Sequence, residues 1–204
     1  MNLILFFWKN RTISVFHKTI SQLEIRFSIF FFFLLTLPLG IHLSSFADTH
    51  TEHQLETAFI YQFTNYIEWP TDPSIPAGSP FIISVLGSSP LTSELEQLAR
   101  AKTTQSRKIE IHPAADISRL TKSHIVVITN SDENELKTLF NKLKGRNTLV
   151  ISYADGFARK GAMINFFKEG GRLRFEINRS ALERQNLQIS SQLLKLAKVI
   201  DQEN

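Results

Sequence analysis

The chain has 204 residues with 43% hydrophobic and 21% charged content, which is typical of one globular domain with an additional segment. It contains no cysteine, which excludes disulfides, thiolate metal sites and cysteine nucleophiles. Of its net charge of +4, +3 lies in residues 1–47, because residues 48–204 carry 19 basic and 18 acidic side chains. The nearly neutral charge of residues 48–204 therefore gives little support to a nucleic-acid-binding function.

Residues 1–47 have the pattern of a secretory signal. Nine of the 17 Phe lie here, basic residues precede an apolar run over residues 27–41, and Ser45-Phe46-Ala47 supplies the small residues that a signal peptidase recognises. We expect cleavage after Ala47 and export of residues 48–204 to the periplasm. The alternative is an uncleaved membrane anchor, residues 27–41. Fifteen residues reach only about 22 Å, however, which is less than the roughly 30 Å hydrocarbon core.

The exported chain is predicted to begin with an amphipathic helix. Thr51 and Gln54 fit a capping box, and Pro70 ends the helix. The predicted inward row is Leu55, Phe59, Phe63 and Tyr66, widened by Ala58, Ile67 and Trp69. Such a stripe predicts a helix that packs on a core.

Residues 81–152 alternate between predicted strands and helices. The predicted strands, mostly apolar runs typical of buried strands, are residues 81–86, 108–112, 124–129 and 148–152. The predicted helices are residues 91–101 and 133–144. This alternation predicts a parallel sheet with flanking helices.

A polar loop, residues 153–161, follows the last of these strands. Open α/β sheets bind ligands at the carboxyl edge of their strands, where this loop should lie. Phe157 is an aromatic side chain among polar neighbours, so it is a candidate contact residue. The alternative is that Phe157 anchors the loop in the core.

Residues 172–200 are predicted to complete the core. Leu173, Phe175 and Ile177 alternate with polar side chains, which indicates a strand with one apolar face. This strand should form a hairpin with residues 163–167 across residues 168–171. Asn178 and Ser190 are predicted helix N-caps. The final helix should bury a stripe consisting of Leu193, Leu196, Ala197 and Ile200.

Several sequence segments identify a family resemblance. RFEIN, ALERQNL and ISSQLLKLA follow one another in residues 174–197, after AFIYQFTNYIEWP and DGFARKGAMI. These segments resemble sequences of the YfiR/HmsC-like family (DUF4154), and the resemblance covers about residues 55–199. The resemblance implies one exported α/β domain, residues 48–204, with a mostly parallel sheet, flanking helices and a C-terminal β-hairpin followed by a helix.

The resemblance also implies a function. Better-known relatives are not enzymes; they restrain an inner-membrane diguanylate cyclase from the periplasmic side, and an outer-membrane lipoprotein can draw them away. The expected role is therefore in cyclic di-GMP and biofilm signalling. Other relatives carry redox-responsive disulfides, which this cysteine-free chain cannot form. The partner could also be another membrane sensor, receptor or kinase. Formation of a homodimer is a further alternative.

The residues themselves favour a binding protein over an enzyme. The sequence has no GxSxG and no HExxH, and the acid/base candidates reduce to Asp155 and Glu176, should these meet in space. No catalytic, cofactor or metal site and no nucleic-acid partner is predicted. A periplasmic small-ligand carrier or an accessory protein of a transport system is the alternative, although 157 residues leave little room for a second lobe.

The candidate partner-binding residues are Phe157, Arg174, Glu176, Glu169 and Gln192. Interface hot spots favour aromatic side chains and Arg. Arg174 and Glu176 belong to the outward row of the predicted strand, Glu169 lies at the hairpin tip, and Gln192 starts the last helix. The alternative for Arg174 and Glu176 is a surface salt bridge worth about 0–1 kcal/mol, and for Gln192 a bond to nearby backbone.

Overall fold

The computed structural model describes residues 45–71, 76, 78–129 and 133–201, with side chains described from residue 52 onward apart from that of residue 133. The chain divides into two units, Met1–Asp48 and Thr49–Asn204, and the account below concerns the second. The apolar run of the predicted leader, which is also the alternative membrane anchor, lies outside the described residues. Within the described ranges, no helix has the length and apolar character needed to cross a membrane.

Helices and strands are interspersed along the described chain. The helices are α1 (Ser45–Tyr66), α2 (Leu91–Ala101), α3 (Glu133–Leu143), α4 (Arg179–Arg184) and α5 (Ser191–Leu194). The strands are β1 (Ile67–Glu68), β2 (Phe81–Leu86), β3 (Thr103–Thr104), β4 (Arg107–Ala114), β5 (Ile125–Ile128), β6 (Leu149–Ser152), β7 (Ile164–Glu169), β8 (Arg172–Asn178), β9 (Gln188–Ile189) and β10 (Lys198–Ile200).

Eight strands form one sheet in the order β10-β8-β7-β6-β5-β2-β4-β3. The five strands from β7 to β4 in this order are parallel, and the apolar runs of β2, β5 and β6 are buried on both faces as parallel strands require. β8 turns back antiparallel to β7, and β1 pairs with β9 in a separate two-stranded sheet. The predicted α/β fold with a mostly parallel sheet is confirmed.

An aromatic cluster joins α1 to the sheet. The ring of Phe63 lies 5.9 Å from that of Phe166 on β7 and 5.2 Å from that of Phe175 on β8, and Phe59 also packs against both. Phe175 is buried, as the alternation in its strand predicts. Buried aromatic pairs contribute about 0.5–1.5 kcal/mol each beyond their apolar area.

The inward face of α1 differs from the predicted one. Leu55 is 44% exposed, whereas its neighbour Glu56 is buried together with Ile60, Phe63 and Ile67. The helix also begins at Ser45, before the predicted start at residue 51. The prediction followed the apolar row and did not include Glu56, whose carboxylate is buried with its Oε2 2.8 Å from Nδ1 of His53.

The predicted final helix is wrong beyond its first turn. The helix stops at Leu194, and the chain then forms β10, which pairs in parallel with residues 176–178 of β8. Leu193 is buried as predicted, but Leu196 is 67% exposed. Pairing with β10 supplies partners for backbone groups of β8 that a helix would leave open, and Val199 and Ile200 suit a strand. β8 is therefore not an edge strand.

The predicted caps at Asn178 and Ser190 and the hairpin are confirmed, whereas the predicted capping box at Thr51 and Gln54 is wrong because α1 begins at Ser45. The side chain of Asn178 accepts a hydrogen bond from the Ala181 N–H at 2.9 Å and donates one to the Ala158 carbonyl at 2.7 Å. Ser190 accepts from the Leu193 N–H at 3.3 Å. The hairpin turn is shorter than predicted, because two glycines with positive φ close it in two residues.

Candidate functional site

Phe157 lies in the core and not on the surface. Its side chain is 6% exposed and belongs to the main hydrophobic cluster, with the Lys160 ammonium 5.5 Å from the ring centroid. The hydrogen bond from Asn178 to the Ala158 carbonyl holds the loop beside it against the start of α4. The structure thus places Phe157 as an anchor of the 153–161 loop, which corrects its selection as an exposed contact residue.

Three of the other predicted residues lie on one surface. We define the hairpin face as Asn165, Phe167, Glu169, Arg174, Glu176 and Lys198, which the registers of β7, β8 and β10 place on the same side. Arg174 and Glu169 form an ion pair at 3.4 Å and are 52% and 65% exposed. Asn165 donates to Glu176 at 3.4 Å.

Gln192 is exposed on α5, and no hydrogen bond of its side chain appears in the described part of the chain. The Lys198 ammonium lies 5.6 Å above the Phe167 ring on the hairpin face. The sequence pattern gives Arg174, Glu169 and Glu176 as candidates, and the structure places Phe167 and Lys198 on the same face. The sequence prediction includes Phe167 in the hairpin without assigning it a face, and Lys198 reaches this face only through the pairing of β10 with β8.

No hydrogen bond joins the acid/base candidates Asp155 and Glu176 in the described part of the chain. Asn165 donates to Glu176 at 3.4 Å, whereas Asp155 lines a cavity of about 420 Å³ together with Glu56, Tyr153 and Phe167. Burial raises the pKa of Glu56, opposed by His53. Among the described residues no three His, Asp or Glu side chains are placed to hold a metal ion.

A larger cavity lies at the opposite end of the sheet from the predicted ligand edge. We call it the amino-edge cavity; it measures about 520 Å³, and its lining includes Trp69, Arg107, Lys122, His124 and Arg146. Arg107 opens β4, Lys122 and His124 precede β5, and Arg146 precedes β6, whereas Trp69 follows the end of β1. Amino ends of parallel strands meet at one edge, so these separated residues converge.

Several contacts hold His124 in place in this cavity. Its ring stacks on Phe81 at 4.4 Å, its Nδ1 accepts from the Ile82 N–H at 3.0 Å, and its Nε2 lies 3.1 Å from Nη2 of Arg107. Its carbonyl accepts from the Trp69 indole at 3.2 Å. Burial lowers the pKa of His124 to about 4, and the charge of Arg107 acts in the same direction.

This pKa predicts a pH dependence of stability. Unfolded chains take up the proton near pH 6.5 but the folded chain only near pH 4, so the unfolded state binds more protons between these values. The free energy of unfolding should therefore fall as the pH drops from 6.5 to 4, by about 1–2 kcal/mol after allowance for solvent screening. Urea melts across this range should show the slope, reduced in His124→Asn and retained in His112→Asn. An NMR titration midpoint of His124 near 6.5 would contradict it.

Comparison with known proteins gives a family and solved structures of low sequence identity. No curated protein matches the chain. A conserved domain protein from Vibrio cholerae O1 biovar El Tor strain N16961 is similar with 14% identity and a TM-score of 0.47, over 74% of this chain and 60% of that one. An ABC domain in complex with L-Trp from Streptococcus pneumonia has 12% identity and a TM-score of 0.43, over 58% and 55%.

The chain spans less than two thirds of either of these structures. By contrast, the model of the YfiR/HmsC-like family (DUF4154) matches residues 53–198. That range contains every strand from β1 to β9, the 153–161 loop and the hairpin face. The chain therefore belongs to the YfiR/HmsC-like family.

Proposed function

We propose that this chain is a periplasmic regulator that acts by binding and not by catalysis, and that it restrains a membrane-bound diguanylate cyclase. The observation that supports this proposal is its membership of the YfiR/HmsC-like family over residues 53–198. The role belongs to cyclic di-GMP and biofilm signalling, with an outer-membrane lipoprotein as the protein that competes for the regulator.

We assign the partner contact to the hairpin face. Arg174 and Glu169 are half exposed or more, and a surface ion pair of this kind contributes only about 0–1 kcal/mol to stability. Both side chains can therefore exchange their mutual contact for contacts with a partner at little cost to the fold. Phe167 adds an aromatic surface beside them.

The pairing of β10 with β8 affects how a partner can bind. Residues 176–178 of β8 already have a neighbouring strand, so an added partner strand cannot pair with that side of them. We therefore expect recognition through side chains of the hairpin face. Phe157 contributes indirectly, because it anchors the neighbouring loop from within the core.

Charge reversal of Arg174 should weaken partner binding. In the full chain, Arg174→Glu places a second negative charge beside Glu169, and we expect at least about a tenfold rise in the dissociation constant. The measurement is capture of the cyclase from solubilised membranes, with the captured protein identified by mass spectrometry, together with cyclic di-GMP in cells, which should rise.

The matched control is Arg100→Glu. Arg100 is an exposed residue of α2 that pairs with Glu96 at 3.8 Å, so the change removes the same kind of contact away from the hairpin face. If Arg174→Glu folds normally and binds as Arg100→Glu does, Arg174 is not part of the interface. If a clean deletion of the gene leaves cyclic di-GMP unchanged, the cyclase proposal itself is wrong.

A further inference from the structure

Two hydrogen-bond donors face each other in the amino-edge cavity. The Ile82 N–H donates to Nδ1 of His124, so Nδ1 of the neutral ring is unprotonated and Nε2 carries the proton. That N–H lies 3.1 Å from Nη2 of Arg107, which can only donate. In the described part of the chain Nε2 has no recorded acceptor. An oxygen placed beside both groups would accept a hydrogen bond from each.

The guanidinium of Arg107 is held in place by contacts within the protein. Its Nε donates to the Ser79 carbonyl at 2.6 Å, its Nη2 donates to the Pro80 carbonyl at 2.7 Å, and its carbon lies 5.7 Å from the centroid of the Phe81 ring. Among the described residues, none accepts a hydrogen bond from Nη1 of Arg107. A donor group fixed in this way loses little conformational entropy when it binds an anion.

The charge and shape of the cavity favour the same kind of ligand. Lys122 and Arg146 line it with Arg107, so cations from three separate segments border the cavity. Trp69 and Ile82 supply apolar wall beside these cations. Its volume of about 520 Å³ lies within the roughly 300–1,000 Å³ typical of small-molecule sites.

We propose that the amino-edge cavity binds a small organic phosphate. Its oxygens accept from Arg107 and from Nε2 of His124, and its apolar body lies against Trp69. A phosphate monoester fits this site better than a carboxylate, because it brings more charge to three cations and has three terminal oxygens for the converging donors. The site is separate from the hairpin face, so this proposal does not depend on the identity of the protein partner.

Trp69 provides the signal for the test. The chain has two tryptophans, Trp8 and Trp69, so Trp8→Phe in the full chain leaves Trp69 as the fluorescent reporter. We expect phenyl phosphate to change its emission saturably, with a dissociation constant on the order of 0.1–1 mM. Benzoate should bind at least about threefold more weakly, and uncharged benzyl alcohol should not saturate.

Variants separate this site from general charge attraction. Arg146→Gln should weaken phenyl phosphate binding at least about threefold, and Arg107→Lys at least about tenfold because it loses the planar fork. Lys144→Gln is the matched control, since this exposed residue lies two positions from Arg146 but outside the cavity lining, and binding should be unchanged. Melting temperatures of all three identify any variant that fails to fold.

Three results would overturn the proposal. The first is no saturable response to phenyl phosphate up to about 10 mM. The second is equal weakening in Arg146→Gln and Lys144→Gln, which would mean that the attraction comes from the general surface charge. The third is benzoate binding at least as tightly as phenyl phosphate, which would remove the assignment to phosphates.

Discussion

Phe63→Ala should lower the free energy of unfolding by about 3–5 kcal/mol. Phe63 has no exposed surface, and its ring lies 6.4, 5.9 and 5.2 Å from those of Phe59, Phe166 and Phe175. These contacts join α1 to β7 and β8, so truncation leaves a cavity between the helix and the sheet, which a close-packed interior fills only in part. Urea unfolding at neutral pH measures the loss.

Leu196→Ala is the control for this prediction. The sequence pattern places Leu196 in the core, but the structure leaves 67% of it exposed after α5 ends. Its truncation should change the free energy of unfolding by less than about 0.5 kcal/mol. A loss for Leu196→Ala comparable with that for Phe63→Ala would show that residues 195–200 pack as the predicted helix and not as β10.

Phe157→Ala should also destabilise the fold, by about 3–5 kcal/mol. Its side chain is buried in the main cluster, and its backbone carbonyl accepts from the N–H groups of both Lys160 and Ala162, so the ring and the turn are packed together. The melting temperature should fall, and signalling should change only to the extent that folded protein is lost.

Arg174→Ala separates this stability effect from binding. Arg174 is exposed, so its truncation should leave the melting temperature nearly unchanged while it weakens the proposed partner contact. Cyclic di-GMP, compared at matched levels of folded protein, should then rise for Arg174→Ala but not for Phe157→Ala. A Phe157→Ala protein of normal stability that still loses its partner would return Phe157 to the interface.

Local signals in the sequence determined much of this fold. Apolar runs predicted β2, β5 and β6 as buried parallel strands, because a strand covered on both faces has no polar side to show. Asn178 and Ser190 cap helices as predicted, since a short polar side chain satisfies N–H groups only two or three residues away. The order of strands and helices, together with the segments that resemble the YfiR/HmsC-like family, therefore predicted an α/β domain.

The tertiary structure decided which face and which partner each element takes. On α1, Glu56 is buried beside His53 whereas Leu55 is exposed, and the end of the chain becomes a strand because β8 offers it a backbone to pair with. Phe157 is buried because its loop, residues 153–161, is held by a hydrogen bond from Asn178 at the start of α4. The pairing of β10 with β8 and the hydrogen bond from Asn178 join residues far apart in the sequence, so a local residue pattern carries no information about them.

The amino-edge cavity is the clearest example of a feature that depends on contacts between distant parts of the sequence. The sequence argument placed the ligand edge at the carboxyl ends of the strands, whereas the three cations come together at the amino ends. Arg107, Lys122 and Arg146 lie in separate segments, and they become neighbours only because β6, β5, β2 and β4 are adjacent in the sheet. The sequence determined that these strands are parallel; only the order of the strands, set by long-range packing, brought the charges to one place.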